Sequence, residues 1–177
     1  MDYTETDLPG LWLVDPVPFE DERGSFARLF CVREFEERGL ETNFVQHSQS
    51  LTLKRGTLRG LHYQAAPYQE AKLVRCVAGA IWDVAVDIRP DSPTYLKWAG
   101  FLLTPENRRQ VFIPKGFANG FQTLADNSVK QYLISEYYQP EAARGLRYDD
   151  PEIGVEWPLP PTTMSEKDQS WPLLADR

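Results

Sequence analysis

The chain has 177 residues, 42% of them hydrophobic and 25% charged, which suits a folded domain and excludes a disordered chain. Nineteen basic against 26 acidic side chains leave a formal charge of −7, which argues against nucleic acid or an anionic membrane as main partner. No apolar run approaches the ~20 residues that span a bilayer, and Cys31 and Cys76 alone supply neither a disulfide framework nor a four-cysteine zinc site.

The first residues, Met1-Asp2-Tyr3-Thr4-Glu5, are acidic and polar with no secretory pattern, so the expected place is the cytoplasm. Prolines and glycines punctuate short segments along the whole chain, which reads as one all-β domain over residues 1–177. Strands are predicted at residues 11–14 and 27–31, followed by one helix at 32–39 with mixed charges and Gly39 as its stop. Further strands are predicted at 44–51, 58–64 and 73–77. The clearest strand is 81–88, where Trp82, Val84, Val86 and Ile88 alternate against Asp83 and Asp87: one buried face, one acidic face. Ala78-Gly79-Ala80 suggests that it forms a hairpin with the strand before it. Strands at 96–103, 110–113, 121–124 and 129–135 follow, and from Asp149 onward a proline-rich irregular segment packs over them. This many short strands predict a jelly-roll barrel, with a mouth where side chains from several strands converge.

Chemistry-bearing residues are few. His47 and His62 are the only histidines and lack metal-ligand spacing, so no metal site is expected. Both cysteines sit in apolar patterns that suit inert thiols. Alternation places Leu58, Gly60, His62 and Gln64 on one face of their strand and Arg59, Leu61 and Tyr63 on the other. Taken singly, His62 reads as a structural histidine, Lys72 as a surface charge, Tyr132 as a half-buried aromatic and Asp168 as part of a solvated terminal turn.

Their joint pattern says more. Lys54-Arg55-Gly56-Thr57-Leu58-Arg59-Gly60-Leu61-His62-Tyr63-Gln64 resembles the signature of the dTDP-4-dehydrorhamnose 3,5-epimerase family of cupins. The resemblance runs on through Asp21-Glu22-Arg23-Gly24-Ser25-Phe26, Lys72-Leu73-Val74-Arg75 and Ile113-Pro114-Lys115-Gly116-Phe117-Ala118-Asn119-Gly120-Phe121. It continues in Tyr132 to Tyr138, in Arg144-Gly145-Leu146-Arg147-Tyr148-Asp149-Asp150-Pro151 and in Ser165-Glu166-Lys167-Asp168. It implies a cupin-type barrel that inverts carbons beside the 4-keto group of a nucleotide-linked 6-deoxyhexose, without metal or redox cofactor.

By this resemblance His62 is the base, Asp168 its orienting carboxylate, Tyr132 the proton donor on the opposite ring face and Lys72 the cation that stabilises the enolate. Arg23 and Arg59 match positions that meet the diphosphate, with Phe26, Gln46 and Tyr138 as further substrate contacts. The family's dimers that exchange N-terminal strands imply a homodimer. Three departures stand out: Asn119 replaces a histidine, Arg28 a glutamate, and His47-Ser48-Gln49 an Asp-Asn-His run. Asn119 is either a substrate contact that cannot relay a proton or, with Gly120, a tight turn. The departures point to a related 4-keto sugar nucleotide or to inversion of one carbon only. A ketoisomerase or a catalytically silent sugar-nucleotide binding module are the other readings.

Overall fold

A computed structural model describes residues 1–176; Arg177, the last residue of the expected domain, lies outside them. The chain opens with β1 (Asp2–Glu5), β2 (Trp12–Asp15), β3 (Phe19–Asp21) and β4 (Gly24–Phe26), then helix α1 (Val32–Glu36). Strands β5 (Gln46–Thr52), β6 (Leu58–Gln64), β7 (Lys72–Ala78) and β8 (Ile81–Asp87) follow. β9 (Trp98–Leu103), β10 (Gln110–Ile113), β11 (Phe117–Thr123), β12 (Ser128–Ile134) and β13 (Ala143–Gly145) complete the strands, and α2 (Glu166–Gln169) lies near the end. One sheet has the order β1-β2-β10-β7-β12-β5, and the facing sheet β13-β6-β11-β8-β9. This is the expected cupin-like all-β fold, built as a β-sandwich, with two short helices where one was expected.

Between the sheets lies a core that includes Leu11, Val74, Ile81, Ala85, Leu103, Val111, Phe117 and Phe121. A second cluster covers the outer face of the six-stranded sheet, where Phe35 of α1 meets Phe30 and Phe112 edge-on at 4.8 and 5.9 Å. A third covers the outer face of the five-stranded sheet, where Val84, Val86 and Ala118 pack under Leu146, Ile153, Val155 and Trp157 of the irregular C-terminal segment. Each fully buried aliphatic or aromatic side chain contributes about 1.5–3 kcal/mol.

This layering corrects the reading of β8. Its apolar face lies under the C-terminal strap, and its acidic face, with Asp83 and Asp87 both fully buried, is the barrel interior. Asp87 is satisfied there by Arg89, Ser92 and Thr94, which hold its carboxyl well below the usual range against the opposing effect of burial. Nor do β7 and β8 form a hairpin. The reversal at Gly79 carries the chain from one sheet to the other, where the Ser128 hydroxyl receives the Ala80 N–H.

Residues 27–31 are not a strand: Phe30 turns inward onto Phe35 and Phe44, and the Leu29 carbonyl accepts the Gln110 side-chain amide instead of a ladder bond. α1 ends at Glu36, three residues before the predicted stop, although the Gly39 N–H still closes the last turn on the Glu36 carbonyl. The predicted strand 121–124 is longer, Phe117–Thr123, so Asn119 and Gly120 lie within a strand and form no turn.

β6 departs from simple alternation. Asn119 pairs with His62 and Phe121 with Arg59, so three residues of β6 span two of β11. The extra residue brings Arg59 onto the same face as His62 and leaves Leu61 on the outer face among Val84 and Val86. Gly60 makes this possible: at φ +121 a Cβ would lie 2.5 Å from the Gly120 Cα.

Candidate active site

A cavity of about 740 Å³ opens at one end of the barrel, walled on one side by β6 and on the other by β5, β7 and β12. An inner chamber of about 230 Å³ shares Arg59, His62, Lys72 and Tyr132 with it and is lined further by Ser50, Asn119, Phe121 and Lys130. Alternation explains the walls. Gln46, Ser48 and Ser50 face inward from β5, Lys72 and Val74 from β7, and Lys130 and Tyr132 from β12, paired across the ladders in register.

His62 comes from the five-stranded sheet, and Asp168 is brought to it by α2. Ser165 caps that helix, its hydroxyl accepting the Asp168 N–H at 3.1 Å, and so points the Asp168 side chain down onto β6. The expected solvated turn is thus a buried cap, with Asp168 only 4% exposed. His62 Nε2 lies 2.6 Å from Asp168 Oδ1, and the Gly60 N–H donates to Oδ2 at 3.3 Å. Burial alone would raise the Asp168 carboxyl; the bond and charge of His62, with Gly60 and Ser165, outweigh it and hold the group below its ordinary value. An ionised carboxylate only accepts, so the proton between them belongs to Nε2, which leaves the Nδ1 lone pair available as a base.

Across the cavity stand Tyr132 and Lys72. Lys72 Nζ pairs with Glu70 Oε1 at 3.0 Å, while Oε2 of Glu70 is buried without a hydrogen-bond partner. The Ser50 hydroxyl in the inner chamber is likewise unpartnered. Such groups are acceptors and donors for a polar ligand.

The remaining predicted residues divide. Arg59 lines both chambers and is steadied by Thr52 Oγ1, and Gln46 and Tyr138 sit at the mouth, where Gln46 Oε1 accepts the Tyr138 N–H. Asn119 lines the inner chamber, but its amide is engaged: Nδ2 donates to Asp83 and the Val84 carbonyl, and Oδ1 accepts from Lys130. Arg23 and Phe26 are not brought to this cavity. They lie on the two-stranded ribbon of β3 and β4, where Arg23 pairs with Asp21, and Phe26 opposes Phe19 with both rings exposed. Of the three departures, Ser48 lines the cavity, His47 points to the outer face of β5, and Arg28 pairs with Glu34. Cys76 is buried, which raises its thiol, and Cys31 is the residue before α1.

Lys130 escaped the sequence reading. It shares a face with Tyr132, two residues on, and that alternation was the signal available. No cluster of three His, Cys, Asp or Glu among the described residues is placed to hold a metal ion, and no described helix is long and apolar enough to cross a membrane.

Known proteins share this arrangement at the level of the whole chain. The family model described as dTDP-4-dehydrorhamnose 3,5-epimerase matches residues 5–176. A curated protein of that description from Methanothermobacter thermautotrophicus is 45% identical over 98% of this chain and 95% of its own. Among solved structures, a dTDP-4-dehydrorhamnose 3,5-epimerase from Elizabethkingia anophelis superposes with a TM-score of 0.96 at 38% identity, covering 100% of this chain and 98% of that one. A 3,5-epimerase from Legionella pneumophila in complex with dTDP-4-keto-L-rhamnose gives 0.92 at 40% identity, covering 98% and 93%.

Proposed function

Because the chain belongs to the dTDP-4-dehydrorhamnose 3,5-epimerase family and is an isomerase, we propose that it inverts C3 and C5 of a dTDP-linked 4-keto-6-deoxyhexose. The observation that carries this reading is the His62–Asp168 pair, 2.6 Å apart, facing Lys72 and Tyr132 across one cavity. A C–H bond beside a ketone releases its proton when a base is aimed at it and the enolate oxygen is stabilised. In the proposed cycle His62 Nδ1 takes the proton, Asp168 stabilises the imidazolium, and Lys72 stabilises the enolate. Tyr132 then gives its phenolic proton to the same carbon from the opposite face, and solvent restores both groups. Only protons move, so the cycle balances without an electron carrier.

Arg59 serves the diphosphate, with Gln46 and Tyr138 at the mouth contacting the nucleotide. We propose further that residues 1–177 act as one cytoplasmic domain within a homodimer. The ribbon of β3 and β4 would then carry Arg23 and Phe26 to the cavity of a second copy; the exposed Phe19–Phe26 pair, 70% and 72% accessible, supports that role.

The test is NMR of dTDP-4-keto-6-deoxyglucose incubated with the protein in deuterated water. Deuterium at both C3 and C5 of the inverted product is expected. Label at one carbon would make it a single-carbon epimerase, a moved carbonyl would make it a ketoisomerase, and no label would leave a binding module.

A further inference from the structure

The floor of the inner chamber holds a charge that the proposed cycle leaves unused. Lys130 is buried, and its Nζ donates to Asp83 Oδ2 at 2.6 Å and to Asn119 Oδ1 at 2.8 Å. The same nitrogen lies over the ring of Phe121 at 4.7 Å and over the ring of Tyr132 at 5.8 Å. A lysine in an apolar core is ordinarily expelled or replaced, because desolvating an ammonium is expensive even when it is paired. Here it borders a chamber shared with His62, Lys72 and Tyr132. The ladder fixes its place, since Lys130 and Tyr132 are alternate residues of β12 and must share a face.

We propose that Lys130 is a positioning residue for the reaction: it holds a fixed positive charge over Tyr132 and so favours the phenolate left when Tyr132 gives up its proton. The inference rests on Tyr132 being the donor. When the Tyr132 O–H bond breaks and the carbon gains its C–H bond, the ring changes from neutral to anionic. A cation near a neutral ring gains a small quadrupole attraction, whereas near a phenolate it gains a charge–charge interaction, offset in part by the Asp83 carboxylate. The stabilisation therefore grows along the reaction coordinate, which is the condition for raising a rate. Asp83 and Asn119 hold the ammonium still, so no reorganisation is needed at the moment of transfer.

Other charged groups face this centre. Lys72, on β7, adds positive charge and opposes protonation of Lys130, as burial does more strongly; Asp83, on β8, works the other way. Arg59 and His62 face it from β6, and the Cys76 thiol from β7. Glu70 and Asp168 stand further toward the mouth, each bound to its own partner. β5 and β11 contribute only the neutral Ser48, Ser50 and Asn119.

Lys130→Met leaves Asp83 buried without its counter-ion, so the decisive protein is the double variant Asp83→Asn/Lys130→Met, with the single variant beside it. Using dTDP-4-keto-6-deoxyglucose in deuterated water, the inversion rate of the double variant is expected to fall about tenfold. Exchange through His62 and KM should stay within about twofold, and the alkaline limb of the inversion rate should move to higher pH, as a less acidic phenol requires. A folded double variant with wild-type inversion and an unmoved limb would make Lys130 a core ion pair and nothing more. Exchange falling in step with inversion would place its effect on the enolate, and would also overturn the proposal. Tyr132→Phe tests the premise separately: unchanged inversion there removes the donor assignment itself, whereas lost inversion there beside an unaffected double variant removes only the role of Lys130.

Discussion

The barrel contains two carboxylate–nitrogen contacts of the same length in different surroundings. His62–Asp168 at the mouth and Lys130–Asp83 at the floor are both 2.6 Å apart. The His62 side chain is 46% exposed, while those of Lys130 and Asp83 are 5% and 0%. At the mouth one partner is an imidazole that lines the cavity and carries a second ring nitrogen beyond the one bound to Asp168, as the proposed proton transfer requires. At the floor both carboxylate oxygens of Asp83 accept hydrogen bonds, from Asn119 and Lys130, and the Lys130 ammonium donates to Asp83 and Asn119. In the proposed cycle the first contact changes charge and the second keeps it. Depth in the barrel separates the two roles.

Breaking the upper contact should have the larger effect on turnover. His62→Ala is expected to reduce deuterium exchange into the 4-keto sugar by about a thousandfold, the range spanned by a lost general base. The fold should survive, because the imidazole is half exposed and Asp168 keeps the Gly60 N–H and its place in the Ser165 cap. Exchange near the wild-type rate in a folded variant would name a different base.

Breaking the lower contact should strike stability first. Asp83→Asn leaves the Lys130 ammonium buried without its counter-ion, a change that costs about 3–5 kcal/mol when one partner of a sealed pair is removed. Adding Lys130→Met should recover most of that loss, because no charge is then left stranded. Urea unfolding of wild type, single and double variants measures both numbers. Equal losses in the single and double variants would mean that shape and not charge holds this floor together.

The same contrast explains what could be read from the sequence. β6 and β10 were legible to the residue, because turn chemistry bounds each on both sides. His62, Lys72, Tyr132 and Asp168 were legible as a set only through resemblance; singly, each had a more ordinary reading. β8 failed because Asp83 and Asp87 look solvent-facing by charge, and only the facing strands, with Lys130 and Arg89, reveal that both are paired inside. The face of Arg59 failed because one extra residue near Gly60 inverts every side chain before it, and a period-two reading carries no record of a bulge. Residues 27–31 have strand-like composition but no neighbouring edge to pair with, which is a fact about other segments. β3 and β4 are short and exposed on both faces, so no burial pattern marked them.

The smallest expected effect sharpens the comparison through pH. Asp168 is depressed in the folded state, so its contribution to stability is fully present above the ordinary aspartate value of roughly 3.9. As pH falls below that value the unfolded chain takes up the proton first, and the contribution is lost on approach to the lower folded value. Asp87, held lower still by Arg89, Ser92 and Thr94, begins to lose its share over the same range and goes on losing it to more acidic pH, so the Asp168 part must be isolated by difference. The gap in unfolding free energy between wild type and Asp168→Asn should therefore shrink as pH falls from about 4 to 3. A gap that stayed flat to pH 3 would mean that the His62–Asp168 bond adds nothing to the folded state beyond what an amide supplies, and the contact at the mouth would serve proton transfer alone.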